Sequence, residues 1–165
     1  MKRMPRACLV SLLIAGGCLP AAPARAADPA AIQSLASGKC LDLERGSKED
    51  GPVVIQFDCH AGMNQRWSTV QSSGGGYRIV SALSGKCIGI DRLGPKQSGV
   101  IVQSTCGSGA SEQLWSLDGG GGGYVFKSIQ SGLCLHLPGG SRINGARLMA
   151  GKCTGNENQA WRLTP

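Results

Sequence analysis

Two cysteines and a Gln-x-Trp triplet recur three times along this chain in fixed register, and that recurrence limits the fold more than any other feature. The copies open at SGKC (Ser37 to Cys40), SGKC (Ser84 to Cys87) and SGLC (Ser131 to Cys134). In each, a second cysteine stands nineteen positions on, at Cys59, Cys106 and Cys153. Each then closes on a triplet: Gln65-Arg66-Trp67, Gln113-Leu114-Trp115 and Gln159-Ala160-Trp161. The leading cysteines lie 47 residues apart both times. Such a period calls for one supersecondary unit built three times and packed against its own copies.

The first residues read as an export leader rather than as part of the repeat. Lys2, Arg3 and Arg6 precede an apolar run from Ala7 to about Leu19, and Ala24-Arg25-Ala26 places small residues where a secretory peptidase cuts. The run is too short to span a bilayer, and no later segment is apolar enough to do so. The expectation is a signal peptide over residues 1–26 and a secreted or periplasmic product. A lipid anchor at Cys18 is the less favoured route, because the preceding Ala15-Gly16-Gly17 lacks a large aliphatic residue.

Cleavage after Ala26 would leave 139 of the 165 residues as one domain, 27–165, with repeats at about 30–76, 77–123 and 124–165. Lys2, Arg3, Arg6 and Arg25 would leave with the leader and no acid would, so the formal charge drops from +7 to +3. The basicity therefore belongs mostly to the leader and gives no reason to expect nucleic acid as a partner. Six cysteines remain once Cys8 and Cys18 are gone, an even number suited to an oxidising compartment. Treating the copies alike pairs Cys40 with Cys59, Cys87 with Cys106 and Cys134 with Cys153. Each such bridge is worth about 3 kcal/mol in the chain-entropy model. No Cys-x-x-Cys occurs and His60 and His136 are not at ligand spacing, so neither a metal site nor any cofactor is expected.

Apolar segments are short: Leu41 to Leu43, Val53 to Phe57, Ile88 to Ile90, Val100 to Val102 and Leu133 to Leu137. They are rich in β-branched residues and punctuated by Gly, Ser, Asn and Pro, with no helical periodicity. About four strands per copy, twelve in all, gives an all-β fold closed by threefold repetition. The glycine tracts Ser72 to Gly76 and Gly119 to Gly123 read as loops between strands.

Three Gln-x-Trp triplets behind three cysteine pairs, at this period, resemble the ricin-type β-trefoil lectin family over about residues 32–163. The resemblance implies a β-trefoil with pseudo-threefold symmetry and one shallow carbohydrate pocket available per repeat. It also implies that the triplets are structural: Trp67, Trp115 and Trp161 buried between repeats, with Gln65, Gln113 and Gln159 satisfying turn backbone groups.

In the family the sugar is held by an Asp two residues after the first cysteine, an aromatic two before the second, and an Asn just before the triplet. The chemistry is intelligible. A carboxylate accepts hydroxyl protons, an amide both donates and accepts, and a ring covers the C–H face of the sugar. The first copy holds Asp42, Phe57 and Asn64 at these positions; the second has Gly89, Ser104 and Glu112, and the third His136, Gly151 and Asn158. The expected site is therefore in the first repeat, with Gln56 as an added contact and His60 beside it. Of the seven aromatics, the three triplet tryptophans and Tyr77 and Tyr124 recur at matching positions and Phe126 matches the core positions Ile32 and Ile79, whereas Phe57 falls at none of these recurring places.

The same residues admit two other readings. An interaction or targeting subunit with decayed sugar sites, like the binding subunits of toxin complexes, would explain why two repeats depart from the pattern and would imply a partner protein. An enzyme is not expected, because the ten acids form no recurring pair, no Ser/His/Asp arrangement appears, and no cysteine nucleophile is left once the six cysteines are paired.

Overall fold

A computed structural model describes residues 28–91, 98–108, 112–120 and 122–165. The proposed leader and Cys18 lie outside the described residues. Twelve strands form, four in each repeat. The first repeat contributes β1 (Ala31–Ser34), β2 (Cys40–Leu43), β3 (Val54–Phe57) and β4 (Trp67–Gln71). The second contributes β5 (Tyr77–Ser81), β6 (Cys87–Ile90), β7 (Gly99–Ser104) and β8 (Trp115–Gly120). The third contributes β9 (Gly123–Ser128), β10 (Cys134–His136), β11 (Met149–Gly151) and β12 (Trp161–Thr164).

The first and last strands of each repeat make a closed ring. β1 pairs with β12, β12 with β9, β9 with β8, β8 with β5 and β5 with β4, all antiparallel. The Ala30–Trp67 bridge joins β4 back to the start of β1. Closure leaves no free edge along this barrel. The middle strands form hairpins β2–β3, β6–β7 and β10–β11 that cap it. This is the β-trefoil that the repeat and the resemblance imply.

The core is written in threes at the same period. Leu41, Ile88 and Leu135 are fully buried, as are Ile32, Ile79 and Phe126, and Trp67, Trp115 and Trp161 are at most 1% exposed. Each indole Nε1–H donates to the carbonyl of a strand in its own repeat: Trp67 to Leu41 at 3.2 Å, Trp115 to Ile88 at 3.2 Å and Trp161 to Leu135 at 3.3 Å. The aromatic bulk is thus buried without orphaning its one polar atom. Tyr77 and Tyr124, the other recurring aromatics, pair with Trp115 and Trp161 across the barrel but remain more than a third exposed.

All three expected disulfides form, with Cα–Cα separations of 5.0, 5.0 and 5.1 Å. The Ser72–Gly76 joint is a turn between β4 and β5, as expected. Gly120 and Gly123 pair inside the β8–β9 ladder. A Cβ on Gly123 would sit 2.7 Å from the Trp161 carbonyl oxygen, and one on Gly76 2.9 Å from that of Trp115. These two glycines stand 47 residues apart and let the repeats approach at the tryptophans. Among the described residues no helix is long and apolar enough to cross a membrane.

Candidate functional site

Strand alternation decides what the β2–β3 hairpin offers to a ligand. Asp42 pairs with Ile55 and Cys40 with Phe57 in its ladder. Phe57, at the end of β3, stays 40% exposed, whereas its neighbour Gln56 is 0% exposed. Past the second cysteine the chain runs through a tight turn to the 3-10 turn Met63–Gln65, which returns Asn64 beside Asp42.

Asp42 is the hub. It is 4% exposed, and a carboxylate so buried needs donors to offset lost hydration. Asn64 Nδ2 donates to its Oδ2 at 2.9 Å, Gln65 Nε2 at 2.7 Å, and His60 Nε2 stands 3.4 Å from the same oxygen. These partners all act on Oδ2, and among the described residues no donor bonds to Oδ1. His60 Nδ1 accepts from the Gly62 N–H at 3.0 Å, which puts the imidazole proton on Nε2, facing Asp42. Gly62 leaves the space that the Asn64 and His60 side chains occupy. A Cβ would lie 2.6 Å from both Asn64 Oδ1 and His60 Cε1.

Around this hub lies a recess of about 440 Å³ bordered by Asp42, Phe57, His60 and Asn64 together with Glu44, Arg45, Ile55 and Gly145. Three of the four residues singled out by sequence, Asp42, Phe57 and Asn64, therefore meet at one cavity. Gln56 does not join them. Its side chain turns inward, donating to the Ser141 and Ile143 carbonyls at 2.8 and 3.0 Å and accepting from Ser37 Oγ at 2.7 Å. The period-two alternation of a strand puts adjacent residues on opposite faces, so Gln56 and Phe57 could not both face the recess.

Sequence reasoning missed Arg45 and Gly145. Arg45 follows Asp42 in the turn and has φ of 56°, the left-handed region, where it is the one non-glycine among the described residues. Gly139 takes the same conformation at the matching place in the third repeat. Gly145 comes from the third repeat, and no local signal in the first could have announced it.

The triplet glutamines fasten the turns after the second cysteines, and Gln65 also holds Asp42. Gln65, Gln113 and Gln159 each accept from an N–H of the turn after the second cysteine, at 2.8, 2.7 and 2.6 Å from His60, Gly107 and Thr154. Each amide nitrogen also donates to a carbonyl just before or at that turn, those of Asp58, Thr105 and Lys152.

At the matching places the other repeats are built differently. In the second, Gln113 donates to Ser104 Oγ, and the Glu112 carboxylate accepts from Ser128 Oγ at 2.6 Å, which ties it to the barrel. In the third, the His136 ring lies over Gly151, where a Cβ would meet its Cε1 at 2.7 Å. His136 Nδ1 is buried without a partner, and burial holds the imidazole pKa below its ordinary value near 6.5. Asn158 spends its amide on the Leu137 carbonyl. Among the described residues no group of three metal-ligating side chains gathers anywhere.

The closed trefoil thus carries a recess in its first repeat furnished with carboxylate, amide and ring, and another beside His136 in its third. Residues 28–164 match the model of the ricin-type beta-trefoil lectin domain. The chain belongs to that family, a family of carbohydrate-binding modules. Among solved structures it is similar to a designed threefold-symmetric protein, ThreeFoil, with 32% identity and a TM-score of 0.76, covering 83% of this chain and 98% of that one. It is also similar to an exo-beta-1,3-galactanase from Clostridium thermocellum, at 27% identity and a TM-score of 0.75; the match covers 83% of this chain but 30% of the enzyme. The Macrolepiota procera ricin B-like lectin, solved in complex with lactose, shares the fold at 18% identity and a TM-score of 0.69, with 88% and 99% of the two chains covered.

Proposed function

We propose that this protein is an exported lectin whose working sugar pocket is the recess of the first repeat, with Asp42 and Asn64 binding vicinal hydroxyls and Phe57 stacking on the C–H face. The observation that carries this reading is the convergence of carboxylate, amide and exposed ring at one cavity in that repeat. Asp42 Oδ1 accepts, while Asn64 keeps a carbonyl oxygen and a second amide hydrogen for a hydroxyl pair. Three paired disulfides and a domain folded around them suit export, and the leader-like residues 1–26 give the route.

A shallow site with three principal groups binds a monosaccharide at about 0.1–1 mM, or roughly −4 to −5 kcal/mol. Clustered glycans would raise that by avidity. Phe57→Ala tests the site cleanly, since the ring is exposed and its loss leaves the core intact. Asp42→Asn tests the carboxylate while keeping an acceptor for Gln65; Asp42→Ala would strand two amides and mix folding with binding. On a glycan array both variants should lose the signal of the native protein with unchanged circular dichroism. Binding retained by both would remove the first repeat as the site.

A further inference from the structure

The recess of the first repeat is not made by the first repeat alone. Phe57 lies between two residues that each grip the segment 141–146 of the third repeat. On one side, the Gln56 N–H donates to the Ala146 carbonyl and its carbonyl accepts from the Gly145 N–H, both at 2.9 Å, while its side chain holds the carbonyls of Ser141 and Ile143. On the other, the Asp58 N–H donates to Asn144 Oδ1 at 3.0 Å and Asn144 Nδ2 donates back to the Asp58 carboxylate at 2.7 Å. Gly145 then borders the cavity itself.

We propose that the sugar site is a two-repeat unit, in which segment 141–146 is one wall and Gln56 and Asn144 are positioning residues that set the Phe57 ring. This rests on the first-repeat pocket being the sugar site. A stacking ring works only where its plane is held, and side chains that support a contact group from behind decide how well it is held. Both neighbours of Phe57 are tied to the same segment, so a shift of that segment displaces the ring and the Gly145 wall together.

The molecule contains its own control. Gln103, 47 residues on, joins the second repeat to the first in the same manner: its amide donates to the Ser47 and Glu49 carbonyls at 2.7 and 2.8 Å and accepts from Ser84 Oγ at 2.9 Å. Asp50 stands where Asn144 does and is held by Lys86 and Thr105. This joint carries Ser104 in place of the ring and therefore positions no aromatic.

The test compares matched variants on an array of galactose-, xylose- and N-acetylglucosamine-terminated glycans, with melting temperature measured for each. Gln56→Ala and Gln103→Ala should lower the melting temperature alike, but only Gln56→Ala should weaken glycan binding, by about tenfold. Asn144→Ala and Asp50→Ala form a milder pair, should the glutamine variants not fold, with the same contrast expected. Loss of binding in Phe57→Ala with native binding in Gln56→Ala or Asn144→Ala would overturn the two-repeat site while leaving the pocket assignment standing. Equal weakening in both members of a pair would overturn it as well, since the effect would then be one of stability. Retained binding in Phe57→Ala would instead overturn the pocket on which the proposal rests.

Discussion

The first and third repeats have the same scaffold around their recesses and different chemistry inside them. Both carry the disulfide, the buried tryptophan bonded to its own repeat, and the triplet glutamine that fastens the turn after the second cysteine. Yet one recess holds Asp42 and Phe57, the other a half-buried His136 lying across Gly151. Their joints differ too. Ser37 finds Gln56 as its acceptor, whereas Ser131, at the same place in the third repeat, has its hydroxyl buried without a partner, opposite Ala150 where glutamine stands in the other two. The scaffold is what the repeat preserves, and ligand chemistry is free to vary on top of it.

The largest effect expected is one that ignores the difference. Trp67→Ala and Trp161→Ala should each cost about 3–5 kcal/mol in urea unfolding, although only one lies behind a proposed sugar site. A much smaller cost for either would mean that the repeats do not share their core equally.

A transplant sharpens the contrast. His136→Asp with Gly151→Phe should add a second, weak sugar site, seen by calorimetry as a rise in stoichiometry from one to two. Gly151→Phe alone should instead destabilise by about 1–3 kcal/mol, because its Cβ arrives against the His136 ring. If the double variant gains nothing, Asp, Phe and Asn are insufficient, and adding Ala150→Gln then asks whether the missing joint is the cause.

Smaller still is the effect of the serine pair. Ser37→Ala removes a bond to a buried glutamine and should cost about 1 kcal/mol. Ser131→Ala deletes a hydroxyl with no partner and should be neutral or slightly stabilising by the same unfolding measurement.

The last distinction is in pH. Burial keeps His136 below its ordinary pKa near 6.5. The unfolded chain therefore takes up this proton first, so the contribution of His136 is fully present above about pH 6.5 and is lost as pH falls toward the lower folded value. Melting temperatures measured downward from pH 7 should fall less steeply in His136→Gln. An unchanged slope would show that the recess of the third repeat is open enough to hydrate the charged ring.

Much of this was legible in the chain. Cysteines and tryptophans at a constant period specify both the bridges and the threefold core, because each is satisfied within one repeat or by the same residue of the next. Asp42, Phe57 and Asn64 were legible for a related reason: all belong to one hairpin and the turn after it, so their spacing encodes their meeting. Gln56 was misread as a contact because its polarity and place beside Phe57 suggested the cavity, while strand alternation buries it. Its partners, Ser141 and Ile143, are 85 and 87 residues away.

By itself the sequence determined the trefoil, its disulfides and the repeat in which a carboxylate, ring and amide coincide. Only the tertiary structure decided that Asp42 is held by two amide donors with His60 beside it, that Arg45 adopts a left-handed backbone beside the recess, and that a segment of the third repeat walls the recess of the first. The reason is range: covalent spacing fixes what lies within one hairpin, but contact between repeats depends on how the closed barrel brings distant loops together, and no periodicity records that.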